Sequence, residues 1–161
     1  MCARIAARSA SFSVSNSRTH RAYGSIGVEV RHARGALLLG DFYNANPDAM
    51  QLALETLAGW MPATRRIAVL GDMLELGLDA PRLHAETAEA VRDAELWVVG
   101  RHANDYAEGA RRRGIPVRVF DDKQALARAL AEVLAPGVVV LLKGSRGAAI
   151  EQVLDGLEQE R

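Results

Sequence analysis

Apolar and polar residues alternate over residues 27–32, the period-two signature of a strand with one buried face, and Ala33-Arg34-Gly35 follows as a hairpin turn. Residues 36–39 are then apolar without interruption and end at Gly40-Asp41. Short, largely apolar runs recur at residues 67–70, 96–99, 117–120 and 138–142. Their length, partial β-branching and termination at Gly, Asp or Lys suit strands covered on both faces. Helical spacing fills the intervals. Met50, Leu54, Leu57 and Met61 lie on one face, with Asn46 placed to cap the helix and Pro47 in its first turn. Asp79 and Pro81 repeat that start signal before Leu83, Thr87, Ala90 and Val91. A third helix runs over residues 103–113 and stops at Gly114, and a fourth begins at a capping box made by Asp121 and Gln124, ahead of Leu126, Leu130 and Val133. A last helix carries Ile150, Val153, Leu154 and Leu157 on one face. Strand and helix alternating behind a hairpin strand predict an α/β fold. It is a Rossmann-like three-layer sandwich, its sheet mostly parallel with an N-terminal antiparallel hairpin strand.

Composition adds limits to this picture. The chain has 161 residues, 49% apolar and 25% charged, which suits one globular domain with a sizeable core. Lys plus Arg and Asp plus Glu number 20 each, so no overall field draws the chain to nucleic acid or an anionic membrane. No apolar run approaches the roughly 20 residues that a membrane span needs. The single cysteine, Cys2, has no partner in the chain for a disulfide. Before Ser25 there is no acidic residue, while Arg4, Arg8, Arg18 and Arg21 stand among serines. This composition is open to an organelle transit peptide, but the expectation is a poorly ordered or remnant segment over residues 1–24, with the domain over 25–161.

In an open parallel sheet, ligands bind beyond the carboxyl ends of the strands. That rule selects residues 41–46, 71–77, 100–104, 121–122 and 143–147. The turn Asp41-Phe42-Tyr43-Asn44-Ala45-Asn46-Pro47 gathers a carboxylate, a phenol and two amides. An Asp at a strand end can accept both hydroxyls of a ribose, and an amide can read a base edge. The competing reading is a capped helix with a self-satisfied turn. Asn46 is expected to be such a cap, whereas Asp41 and Asn44 together point to a ligand. Lys143-Gly144-Ser145-Arg146-Gly147 leads from the last strand to the last helix. It reads either as an anion site at a helix start or as a capped helix with two solvated cations, and the residues alone leave both open. In the 71–77 loop, Asp72 and Glu75 suit either a ligand amine or backbone capping, and Met73, Leu74 and Leu76 are apolar enough to pack against another domain. His84 is expected to be a satisfied structural histidine. The histidines show no metal-ligand spacing.

The absences are also informative. The chain has no Gly-x-x-x-x-Gly-Lys-Ser/Thr loop for a nucleoside triphosphate, no Gly-x-Gly-x-x-Gly after the first strand, and no Gly-x-Ser-x-Gly elbow. A phosphoacceptor receiver domain needs an Asp at the end of its third strand, where this chain has Val98-Val99-Gly100.

Three segments together carry a family resemblance. They are residues 41–50, beginning Asp41-Phe42-Tyr43-Asn44-Ala45-Asn46-Pro47; residues 66–77 with Leu83-His84 and Glu86; and Leu142-Lys143-Gly144-Ser145-Arg146-Gly147. In this order they resemble the C-terminal domain of the Mur ligases that add D-alanyl-D-alanine to UDP-N-acetylmuramoyl-tripeptide. The resemblance implies a cytoplasmic bacterial ligase of peptidoglycan synthesis. In such ligases ATP activates the tripeptide carboxylate as an acyl phosphate, and the dipeptide amine attacks it to form an amide. ATP and magnesium would be held mainly by a central domain, and the UDP-sugar by an N-terminal domain. This domain would close over ATP and deliver the amino substrate, and alone it would be inactive. Asp41, Asn44 and Asn46 match the ATP-binding turn, and Lys143, Ser145 and Arg146 match the acceptor-side loop. Asp72, His84 and Glu86 match recurrent positions without an assigned role. A non-catalytic nucleotide-binding or regulatory module is the alternative. Two departures from the family pattern stand out. In the first, Gly40 and Phe42 replace an acid and a serine; the second concerns an arginine. The arginine expected to contact ATP phosphate has no counterpart near Ile26, with Arg21 and Arg31 out of register.

Overall fold

A computed structural model describes residues 28–159, so the expected segment at residues 1–24, together with Ile26, lies outside the described residues. Strands β1 (Val28–Ala33) and β2 (Ala36–Asp41) form the antiparallel hairpin, turning through Arg34 and Gly35, both at positive φ. The chain then alternates α1 (Pro47–Gly59), β3 (Arg65–Leu70), α2 (Ala80–Glu89), β4 (Glu95–Val99), α3 (Ala103–Arg112), β5 (Val117–Phe120), α4 (Lys123–Val133), β6 (Val138–Lys143) and α5 (Gln152–Gln159). The sheet order is β1-β2-β6-β3-β4-β5, and every pair except β1–β2 is parallel. The expected fold is the one observed.

The pleat assigns residues to the two faces. Leu39, Ala68, Leu70, Leu96, Val98, Val139 and Leu141 pack with Met50, Leu54, Leu57, Ala88, Tyr106 and Ala110, so α1, α2 and α3 cover one face. Their neighbours Leu38, Ile67, Val69, Trp97, Val99, Val140 and Leu142 pack with Leu126, Leu130, Val153 and Leu154, so α4 and α5 cover the other. β6 lies between β2 and β3 with all six residues buried. The β2–α1–β3 connection therefore steps over β6, and the chain comes back to fill that gap last. This is the topological switch point of the sheet, and its carboxyl rim carries Asp41, Lys143 and Gly71.

Several local starts differ from the sequence expectation. Asn46 does cap α1, its side chain accepting from the Ala49 N–H at 2.8 Å, with Pro47 behind it. Asp122 caps α4 by accepting from Ala125 N–H at 2.6 Å, so the expected box at Asp121 and Gln124 does not form. Asp79 makes no capping bond, because a 3-10 turn, Gly77–Asp79, already leads into α2; its carboxylate pairs with Arg82 instead. A second 3-10 turn, Arg146–Ala148, and a left-handed Ala149 separate β6 from α5. The glycine-rich turn therefore does not open directly onto a helix start, as the anion-site reading required.

Candidate functional site

The rim at the switch point is built from three turns. Asp41 and Lys143 are paired residues at the ends of adjacent parallel strands, so strand register itself brings their side chains together. The Lys143 ammonium donates to Asp41 Oδ2 at 2.6 Å and to the Asn44 carbonyl at 2.7 Å. The lysine side chain is 1% exposed and the aspartate 17%. The ion pair thus seals the space between the β2 turn and β6, and Lys143 is not the solvated cation that one sequence reading offered.

Ser145 joins the third turn to these two. Its Oγ accepts from the Leu74 N–H at 2.9 Å and donates to the Ala45 carbonyl at 3.3 Å, while its own N–H donates to the Asp72 carbonyl at 2.9 Å. The turns after β2, β3 and β6 are therefore stitched through one serine. The glycines serve the same closure. A Cβ on Gly144 would lie 3.3 Å from Gly71 Cα, and one on Gly147 would lie 2.7 Å from Leu74 Cδ1. The close approach that these glycines permit is to the protein's own β3 turn. Around this closed centre, Tyr43, Asn44, Asn46 and Arg146 are exposed.

The positions without assigned roles divide cleanly. The Asp72 carboxylate accepts from the backbone N–H groups of Arg101 and His102, both at 2.9 Å, and so fixes the turn that starts α3. His84 is fully buried. Its Nδ1 donates to the Ala80 carbonyl at 2.6 Å, and its Nε2 accepts from the Met73 N–H at 2.9 Å. Its ring stacks on His102 at 4.3 Å and meets Tyr106 edge-on at 4.8 Å. Burial, reinforced by the nearby His102, lowers the pKa of His84, which keeps it neutral and able to accept. Tyr106, buried beneath the loop, donates its hydroxyl to the Gly71 carbonyl, and its pKa is pushed well up by desolvation and by Asp72. Glu86 is exposed and pairs with Arg82. The satisfied-histidine expectation for His84 holds. Met73 and Leu76 pack into the domain's own core, while Leu74 is 43% exposed. Among the described residues, no group of three or more His, Cys, Asp or Glu is placed to hold a metal ion.

A Cβ on Gly40 would lie 2.3 Å from Phe42 Cζ, so the phenylalanine ring occupies the place that a side chain at position 40 would take. The partly buried ring packs with the core under α4 and α5. Gly40 and Phe42 therefore pack as one unit. Arg31, in β1, pairs with Glu29.

A mostly parallel sheet with helices on both faces, its switch-point rim closed by the Asp41–Lys143 ion pair, defines an α/β domain of the Rossmann-like class. Comparison with known proteins makes the class particular. A family profile described as Mur ligase, glutamate ligase domain, matches residues 28–146. The UDP-N-acetylmuramoyl-tripeptide–D-alanyl-D-alanine ligase of Escherichia coli (strain K12) is 36% identical over 137 residues, covering 81% of this chain and 28% of that ligase. The ligase of the same name from Mycobacterium tuberculosis is 40% identical over 148 residues, covering 76% of this chain and 29% of that ligase. Among solved structures, the MurF ligase from Thermotoga maritima in complex with ADP superposes with a TM-score of 0.68 at 34% identity, covering 82% of this chain and 30% of that one. This chain belongs to the Mur ligase family, and it spans under a third of the length of these relatives.

Proposed function

We propose that the chain acts as the C-terminal domain of an ATP-dependent ligase that adds D-alanyl-D-alanine to UDP-N-acetylmuramoyl-tripeptide in the bacterial cytoplasm. The observation that carries this reading is the Asp41–Lys143 contact, which puts the amide-rich turn and the cationic glycine turn at one rim. A reaction between a nucleotide-activated carboxylate and an amine needs both substrates at one place, and holding them in attack geometry is a large part of the rate enhancement. In this reading Asp41 accepts from the ribose, while the exposed amides of Asn44 and Asn46 edge the nucleotide. Only one amide edge of Asn46 is free for this, because its Oδ1 is spent on the α1 cap. Ser145 and the exposed Arg146 lie on the acceptor side, where a guanidinium suits the dipeptide carboxylate.

The sequence carries no triphosphate-holding loop of the Gly-x-x-x-x-Gly-Lys-Ser/Thr kind, so phosphoryl transfer falls to the central domain of such a ligase and the UDP-sugar to its N-terminal domain. The carboxylates described here do not fit a metal held by this domain alone, so the magnesium that accompanies ATP is assigned to the central domain. No helix among the described residues is long and apolar enough to cross a membrane. The test is complementation. The chain is mixed with a D-alanyl-D-alanine-adding ligase trimmed of its C-terminal third, and amide formation is followed from ATP, UDP-N-acetylmuramoyl-tripeptide and D-alanyl-D-alanine. The proposal expects recovered turnover from the mixture and none from either part alone. No recovery, with nucleotide still bound by the chain, would replace it with a non-catalytic nucleotide-binding module.

A further inference from the structure

The family pattern sets Lys143 beside Ser145 and Arg146 on the acceptor side, but its surroundings belong to the other turn. We propose that Lys143 is a positioning residue of the nucleotide turn, acting through Asp41, and that it does not bind the acceptor. The inference rests on the nucleotide reading of the 41–46 turn given above.

Three observations support it. Both acceptors of the ammonium, Asp41 Oδ2 and the Asn44 carbonyl, come from residues 41–46 and none from the glycine turn. The lysine side chain is 1% exposed, so reaching a dipeptide carboxylate in the open rim would mean leaving Asp41 and depriving that carboxylate of its partner. The contact is also set by the cross-strand pairing of Asp41 with Lys143 in a sheet that has β6 at its centre, and not by a mobile side chain. The arrangement has a direct chemical consequence for the carboxylate. Lys143 consumes Oδ2, while Oδ1 has no bond to a described residue and the side chain remains 17% exposed. A carboxylate pinned by one oxygen presents the other in a fixed direction, and two vicinal hydroxyls need that fixed direction to donate to it. Arg146, exposed and with no side-chain bond to a described residue, is the cation available for an acceptor carboxylate.

The chain has only two lysines, Lys123 and Lys143, so 15N-lysine labelling gives two Nζ resonances, with Lys123 as an internal control. ADP, 2′,3′-dideoxy-ADP and D-alanyl-D-alanine are titrated separately into the wild-type chain. The expected result is that ADP shifts the Lys143 signal, while the dideoxy nucleotide and the dipeptide leave it in place. A Lys143 shift with the dipeptide overturns the proposal, as does an ADP titration that moves the Asp41 amide of the uniformly 15N-labelled chain but not Lys143 Nζ. If ADP moves neither, the nucleotide reading has failed and this inference fails with it. Calorimetry on variants adds a second arm. Lys143→Met should weaken ADP binding about 10-fold or more, the scale of one hydrogen bond to a charged group. Lys143→Arg should recover part of that loss, and dideoxy-ADP affinity should be the same in all three proteins. Equal losses for both nucleotides would count against a role through Asp41. The wild-type titration stands whether or not the methionine variant folds.

Discussion

Protonating His84 removes the acceptor that holds the Met73 N–H, because Nδ1 already donates to the Ala80 carbonyl and a proton on Nε2 would point at another donor. Burial lowers the folded pKa, with His102 acting in the same direction; the bond to the Ala80 carbonyl and the carboxylates Asp72 and Asp105 pull the other way without reversing the shift. The unfolded chain, with a histidine pKa of about 6.5, therefore takes up the proton first as pH falls. The neutral ring's contribution to stability is complete above pH about 6.5 and is lost as pH falls through the lowered folded value. The slope is at most about 1.4 kcal/mol per pH unit, and the loss by pH 5 is at most about 2 kcal/mol. The Glu95 carboxylate, whose pKa is lowered by the hydrogen bond from Arg65, adds its own loss only below the ordinary glutamate range near 4.3. His84→Phe keeps a ring in place but leaves the buried Met73 N–H unpaired, a cost of about 1–3 kcal/mol near neutrality. Urea unfolding followed by circular dichroism from pH 7.5 to 5.0 should show the variant less stable at the upper end. The two curves should then converge as pH falls, because only the wild type loses this contribution. Parallel curves, or a wild type whose stability is level from pH 7 to 5, would refute this account of His84.

Other perturbations test the rim more locally. Asn46→Ala removes the α1 cap and should lower stability by about 1 kcal/mol, visible as a lower urea midpoint with an unchanged slope. Gly40→Ala should cost about 1–3 kcal/mol by displacing the Phe42 ring, and most of that added cost should vanish in a Phe42→Ser background. Additive effects in this mutant cycle would show that the two positions are independent.

The architecture was legible because each strand announces itself as a short apolar run and each helix as a four-residue rhythm. Asn46-Pro47 and Gly114 also mark helix ends by simple local chemistry. Local pattern gave out where two neighbouring residues can do the same work. Asp121 and Asp122 are both able to cap α4, and the backbone, extended at Asp122 immediately before the helix, decides between them. It gave out again at residues 144–151, where Ile150 is in helical spacing with Val153, Leu154 and Leu157 but a 3-10 turn and a left-handed Ala149 delay α5 to Gln152. Sheet order was a third gap. Nothing within residues 138–143 says that this strand inserts between β2 and β3, yet that insertion buries Lys143 and pairs it with Asp41. The chemistry of the rim was thus readable as a set of residue types, while which side chains are spent on each other was not. The same holds for Ser145, whose hydroxyl looks available in sequence and in space ties Leu74 to Ala45.

The central claim, that nucleotide and acceptor meet at the carboxyl ends of β2, β6 and β3, is tested most directly by amide chemical-shift mapping. The 15N-labelled chain is titrated with ADP and then, at saturating ADP, with D-alanyl-D-alanine. The shifts should gather first at residues 41–46 and then at residues 144–147, with residues 91–95 and 114–116 at the opposite end of the sheet unmoved. Shifts concentrated at that opposite end, or dipeptide shifts remote from Arg146, would contradict it.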